Sequence, residues 1–383
     1  MSAFLRRVRR DQRGMSFVFV GLGFMAFFAA TTLAIDVGML MTARTQAQNA
    51  ADAGALAGAV ALAFDDFNNR SASGPAVQNA IGASTMAGNR VMGTAPSVTP
   101  GDVTFVNDEN GQPNRIRVNV FRASERGNPL STLIGTYFDV PTANMTATAT
   151  AEVAPANAAT CVLPFTIPDK WIERQTPAWD PNDTFNAFPS NPSLQPDIYR
   201  PATRPDYTGY NADRDRGMRL TLKAGTGNNI SPSFYFGLAL PGSGGASDYT
   251  WNIENCNTTK MHFFDLLTAE PGNMVGPTIQ GVEALIAKDP GAYWDTATNK
   301  VVSNMHPSPR VKVVPIFDPY YWNVGKQNGR NADLKDANYI GFFVEGMQGN
   351  DVMGRITTTT GLLDGSAGPA PQGSFPRVIR LVQ

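Results

Sequence analysis

Met15 to Ile35 reads MSFVFVGLGFMAFFAATTLAI, 21 residues without a single charge. At about 1.5 Å per residue, a helix of that length covers roughly 30 Å, the thickness of a bilayer's hydrocarbon core. Directly before it, Arg6, Arg7, Arg9, Arg10 and Arg13 are opposed only by Asp11. Such a cationic flank stays on the cytoplasmic side. The expectation is therefore a basic cytoplasmic segment over 1–14, a transmembrane helix over 15–35, and the bulk of the chain outside the cytoplasm. Two other readings compete. A cleavable secretory signal has an apolar region of about 7–15 residues, shorter than this one. A buried core helix leaves the five arginines unexplained.

The helical pattern continues past Ile35. Residues 36–64 contain no proline and only Asp36, Arg44 and Asp52 as charges, with a dense set of alanines, the best helix former. One helix running from Met15 to about residue 64 is expected, roughly 75 Å long and more than twice the bilayer core. Ala43, Ala47, Ala51, Ala55, Ala59 and Ala63 recur every four residues, and Ala26, Ala30, Ala34 and Gly38 form a second row. Small side chains at this spacing let another helix approach closely. The first row is therefore read as a helix-packing ridge for another subunit or a second copy, against the plainer reading that alanine simply favours helix.

Composition narrows the function. Charged residues make up 16% of the chain, against roughly 25% in an average soluble protein. The formal net charge is −1, which argues against a globally basic nucleic-acid binder. Two histidines and two cysteines exclude the zinc patterns that need four such ligands close in sequence.

Leu33-Ala34-Ile35-Asp36-Val37-Gly38, followed by the stretch from Ala43-Arg44-Thr45-Gln46 through Asn49-Ala50-Ala51-Asp52-Ala53-Gly54 to Ala59, resembles the N-terminal region of TadG-like proteins of the Flp pilus, or tight-adherence, assembly system. Arg13-Gly14 before the apolar helix fits the same pattern. Asn114–Val120 and the Ala/Thr repeat ending at Thr148-Ala149-Thr150-Ala151 are similar to strands that follow the stalk in those proteins, so the likeness spans about 13–155. It implies a membrane-anchored, non-enzymatic component of pilus assembly, its partners being the lipid bilayer and other pilus-assembly subunits or itself through the N-terminal helix. The implied location is the bacterial inner membrane, with the N-terminus cytoplasmic and the C-terminal part periplasmic or extracellular. No cofactor or metal is implied. A minor pilin incorporated into the fibre is a variant of this reading. It needs prepilin-type cleavage after Gly14, which usually goes with Glu five residues on, where this chain has Phe19.

The fold class expected is α+β: the long transmembrane and stalk helix, a small pilin-like α+β unit over 65–155, and a β-rich mixed domain over 156–383. Ser71-Ala-Ser-Gly74-Pro75 breaks the stalk, and Ala76 to Val91 can form a second helix. Residues 103–106, 115–121 and 144–153 have strand character. Thr146, Thr148 and Thr150 alternate with Ala147, Ala149 and Ala151, which places hydroxyls on one face and methyls on the other. Further strands are read at 219–223, 234–240, 310–317, 339–346, 355–359 and 378–382. A helix begins at Pro277, with Ile279, Val282, Leu285 and Ile286 as its apolar stripe.

Cys161 and Cys256 both fall in the outer part, where an oxidising compartment favours a disulfide; two separate buried thiols are the alternative. Other chemistry is weakly signalled. Asn211-Ala-Asp213-Arg-Asp215 has oxygens at alternate positions like a calcium loop, but Leu222 stands where the bidentate Glu belongs, so a polar turn is expected. Asp364-Gly-Ser366-Ala-Gly368 lacks the second Ser of a metal-ion adhesion motif. Neither His262 nor His306 stands in a catalytic pattern. The competing function is an anchored extracytoplasmic enzyme or glycan binder using residues 161–383, for instance through carboxylates such as Asp180 and Asp183.

Overall fold

The computed structural model describes residues 15–65, 69–109, 111–175, 179–225, 229–305, 307–327 and 334–382. The arginine cluster and Gly14 lie outside the described residues, as does His306. The described chain is mixed α+β and falls into two compact units. One lies within Met1–Ala59, Arg70–Glu152 and Leu381–Gln383, the other within Val60–Asn69 and Val153–Arg380.

Helix α1 spans Met15–Phe64 without interruption, as expected where no proline or long polar stretch opposes helix. In the first unit it is joined by α2 (Pro75–Thr85), with proline in the first turn where its missing N–H costs nothing. An antiparallel sheet follows, of β1 (Val103–Val106), β2 (Arg115–Arg122) and β3 (Met145–Pro155). β2 pairs with β1 from Val118↔Val103 to Arg115↔Val106, and with β3 from Arg115↔Glu152 to Arg122↔Met145. The alternation on β3 does what period two dictates: Ala147, Ala149 and Ala151 are buried along with Ile116, Val118 and Val120 of β2.

In the second unit, β4 (Phe165–Pro168), β5 (Arg219–Ala224), β6 (Phe234–Gly237), β7 (Val311–Phe317), β8 (Leu334–Gln348) and β9 (Asp351–Thr357) close into a six-stranded barrel in the order β8-β7-β4-β6-β5-β9 and back to β8. The pairs β4–β7 and β5–β6 are parallel and the other four antiparallel. Alternate residues fill its core: Phe165 and Ile167, Leu220 and Leu222, Val314 and Ile316, Ile340 and Phe342, Val352 and Ile356. Gly354 is obligatory there, because a Cβ would come within 2.4 Å of the Phe342 ring. Two helices, α3 (Gly245–Glu254) and α4 (Val275–Lys288), add Tyr249, Ile253, Val282 and Leu285 to the same core. Closure removes the exposed edges that an open sheet of this composition would offer to aggregation.

Candidate functional site

The membrane-length segment of α1 is the first element of the site. From Phe17 to Ile35 its large apolar side chains are open to the surroundings, and this is the helix among the described residues long and apolar enough to cross a membrane. The two hydroxyls in its second half are satisfied internally. Thr31 donates to the Phe27 carbonyl at 2.9 Å and Thr32 to that of Phe28 at 2.8 Å, which is what a hydrocarbon environment requires of polar groups.

At the end of the charge-free run the first carboxylate is enclosed. Asp36 accepts three successive backbone N–H groups, from Leu133 at 3.0 Å and from Ile134 and Gly135 at 2.9 Å each. Three donors aimed at one carboxylate make a charge-assisted clamp between helix and loop. Sequence reasoning counted Asp36 as one charge in a motif and missed this role. The signal was present in a lone acid bounding an apolar run, since an acid placed there must find donors.

The alanine row corrects an expectation. Ala43, Ala47, Ala51, Ala55, Ala59 and Ala63 are all buried in the chain's own fold, so this ridge is not an open face awaiting a partner. Gly54 and Gly58 in the same stripe show how closely it is filled. A Cβ on Gly54 would lie 3.0 Å from the Ala80 carbonyl oxygen, and one on Gly58 would lie 3.0 Å from that of Ala76 and 2.6 Å from Ile116 Cδ1. The helix that approaches closely is α2, with its own small row Ala76, Ala80 and Ser84, all buried. Polar ties fasten the same helix to β3 and to the turn after α2: Gln48 donates to the Thr148 carbonyl at 3.1 Å, and Gln46 accepts the Met92 N–H at 2.7 Å. The second row differs, for Ala26, Ala30, Ala34 and Gly38 remain exposed.

Cys161 and Cys256 form a disulfide, their Cα atoms 4.3 Å apart and 95 residues apart in sequence. The weaker sequence candidates are engaged in local structure. Asp215 pairs with Lys170 at 2.9 Å and Arg214 at 2.8 Å, and Asn211 caps the Asp213 N–H. Asp364 accepts from both Ser366 groups and from Lys260. Among the described residues, no group of three or more His, Cys, Asp or Glu side chains is placed to hold a metal ion.

One buried acid went unnoticed in the sequence. Asp169 accepts Tyr207 Oη at 2.7 Å, Tyr199 Oη at 2.9 Å, and the N–H groups of Tyr210 and Lys170. Complete burial pushes its carboxyl up to about 7, against the opposing pull of those donors, Tyr207 foremost. Burial likewise drives Asp336 well above the carboxylate range. A folded-state pKa above the ordinary 3.8 means that the neutral form stabilises the fold. That stability is full below about pH 4 and is lost as pH rises through about 7. Asp169→Asn should therefore flatten the decline of the second unit's melting temperature between pH 4 and pH 8. Equal slopes for the two proteins in pH-resolved calorimetry would show that Asp169 does not drive the decline.

Residues 14–61 match the Tad family model, described as "Putative Flp pilus-assembly TadE/G-like". The matched stretch is nearly all of α1: the apolar segment, Asp36 and the alanine row as far as Ala59. The N-terminal region is thus similar to Flp pilus-assembly TadE/G-like proteins. No curated protein and no solved structure matches the chain.

Proposed function

We propose that this chain is a single-pass, membrane-anchored component of Flp/Tad-type pilus assembly, acting in pilus biogenesis or surface adhesion without catalysis of its own. The observation that carries the reading is the coincidence of the Tad match over residues 14–61 with a helix whose first half is bare and apolar and whose second half is packed into the fold. A bare apolar half belongs in lipid. The packed half joins that anchor to the unit of α2 and β1–β3.

The location is the bacterial inner membrane, with residues 1–14 in the cytoplasm and the remainder in the periplasm or beyond. Five arginines before the helix support that orientation, and so does the Cys161–Cys256 disulfide, a bond that persists in oxidising compartments. No cysteine among the described residues is free, so a thiol nucleophile is not on offer. Contact with other assembly subunits falls to the apolar segment, where the exposed Ala26–Gly38 row gives a backbone room to approach.

A reporter enzyme active only outside the cytoplasm, fused after Gln383, should be active. Replacing Arg6, Arg7, Arg9, Arg10 and Arg13 with Glu should strongly reduce that activity at equal expression. A stable fusion that stays silent would refute the orientation. In a piliated host, deleting the chain should abolish pilus-dependent attachment, and the full chain should restore it. Normal piliation and attachment without it would refute the assembly role.

A further inference from the structure

We propose that the loop from Thr132 to Pro141 is a second membrane contact, lying in the headgroup–acyl boundary of the bilayer beside the exit point of α1. The proposal rests on the reading that residues 15–35 span the membrane. It adds a surface that the spanning segment alone does not imply.

The loop presents Tyr137 at 83%, Phe138 at 70%, Leu133 at 61% and Val140 at 54% exposure. A single bare apolar side chain needs no explanation, but four within eight residues make a patch that calls for a covering. The position of the patch identifies what covers it. Its backbone is held by Asp36, the residue that directly follows the charge-free run. Ile134 and Phe138 line one hollow together with Ala29 and Leu33 of that run. Ala29 lies about 10 Å before Asp36 along the helix. The loop therefore reaches back along a segment whose own surroundings are lipid. An apolar patch continuous with a membrane-spanning helix meets the same bilayer.

The chemistry of the loop suits that depth. Its backbone groups are largely satisfied internally. Val140 N–H donates to the Gly135 carbonyl at 2.8 Å, Tyr137 N–H to that of Ile134 at 2.9 Å, Thr132 N–H to that of Pro141 at 3.1 Å, and Thr132 Oγ1 to that of Val140 at 2.6 Å. Irregular backbone near the hydrocarbon boundary is tolerated when its polar groups are paired in this way. Tyr137 has the amphipathic ring enriched at membrane interfaces. From Leu130 to Ala151 the chain carries no Lys or Arg, and Asp139 is its one charge. The contact is thus apolar and aromatic, not an attraction to anionic headgroups, and it should persist at high salt.

The test uses the full-length protein in phosphatidylcholine vesicles. Its native cysteines are bridged, so a single introduced thiol can be spin-labelled at Tyr137→Cys, Phe138→Cys, Phe24→Cys or Glu109→Cys. Collision rates with oxygen, which concentrates in lipid, and with a water-soluble nickel chelate then report depth. Labels at 137 and 138 should give an oxygen-to-nickel ratio severalfold above that at 109, unchanged between low and high salt. Adding Asp36→Ala should lower the ratio at 138 while leaving that at 24 high. If 24 is lipid-exposed but 137 and 138 behave like 109, the loop proposal alone is wrong. Immobile labels shielded from both probes would point to a covering protein and also overturn it. If 24 itself is water-exposed, the spanning reading fails and the loop proposal falls with it.

Discussion

Leucine at positions 51 and 55 together should destabilise the folded protein, by on the order of 1–3 kcal/mol for each overpacked site. Leucine ranks just below alanine in helix propensity, so the helix itself is hardly penalised and the cost reports packing alone. Ala51 and Ala55 are completely buried, and the neighbouring glycines show how little slack surrounds them. In an exposed helix, Gly→Ala at 54 or 58 would gain about 1 kcal/mol. Here the new Cβ meets backbone carbonyls at 3.0 Å, so the same change should be neutral or harmful. Ala→Ser at 51 and 55 should be milder than leucine, since the added atom is smaller, with the remaining cost set by whether the hydroxyl finds a partner. Detergent-solubilised variants can be compared by thermal melting and limited proteolysis. If the leucine variant melts with its parent and only assembly suffers, the alanine face is open to another molecule and the burial seen here is not its working state.

That expectation replaces one drawn from the sequence, and the reason is instructive. A four-residue repeat of small side chains shows that something approaches closely, but it does not show what. The answer lay a short distance along the chain in Ala76, Ala80 and Ser84, a second small row at the same spacing on the next helix, separated from the first by the Gly74-Pro75 break. The barrel posed a different problem. The strands read at 219–223, 310–317 and 339–346 fall on Arg219–Ala224, Val311–Phe317 and the middle of Leu334–Gln348, yet closure depends on which strands pair. Phe165–Pro168 meets Val311–Phe317 in parallel through Ile167↔Ile316, a long-range pairing on which local pattern is silent. Asp36 and Asp169 are acids whose partners are mostly backbone N–H groups and tyrosine hydroxyls contributed by loops. Loop conformation, not residue type, brings those donors together.

Removing the Cys161–Cys256 bridge should produce the other large effect. The cysteines stand 95 residues apart, and closing a loop of that length restricts the unfolded chain by about 4 kcal/mol in the chain-entropy model. That is comparable to a large share of a domain's whole stability, about 5–15 kcal/mol. The bridge reinforces two other ties between the same parts of the second unit: the Cys161 N–H donates to the Asn257 carbonyl at 2.8 Å, and Ala158–Ala159 pairs with Met261–His262. Double replacement by Ser is the cleaner test, because a single substitution leaves a free thiol able to form mixed disulfides. The double variant should melt well below the parent, and dithiothreitol should lower the parent's melting temperature while leaving the variant's unchanged. Expressed with residues 1–64 intact, the variant should still reach the membrane fraction, since an apolar helix and its basic flank direct insertion whatever fold follows them. Its second unit should become protease-sensitive. Equal melting of parent and variant under non-reducing conditions would mean that the cross-link adds nothing beyond the closed barrel, whose six strands would then account for the stability of the second unit without it.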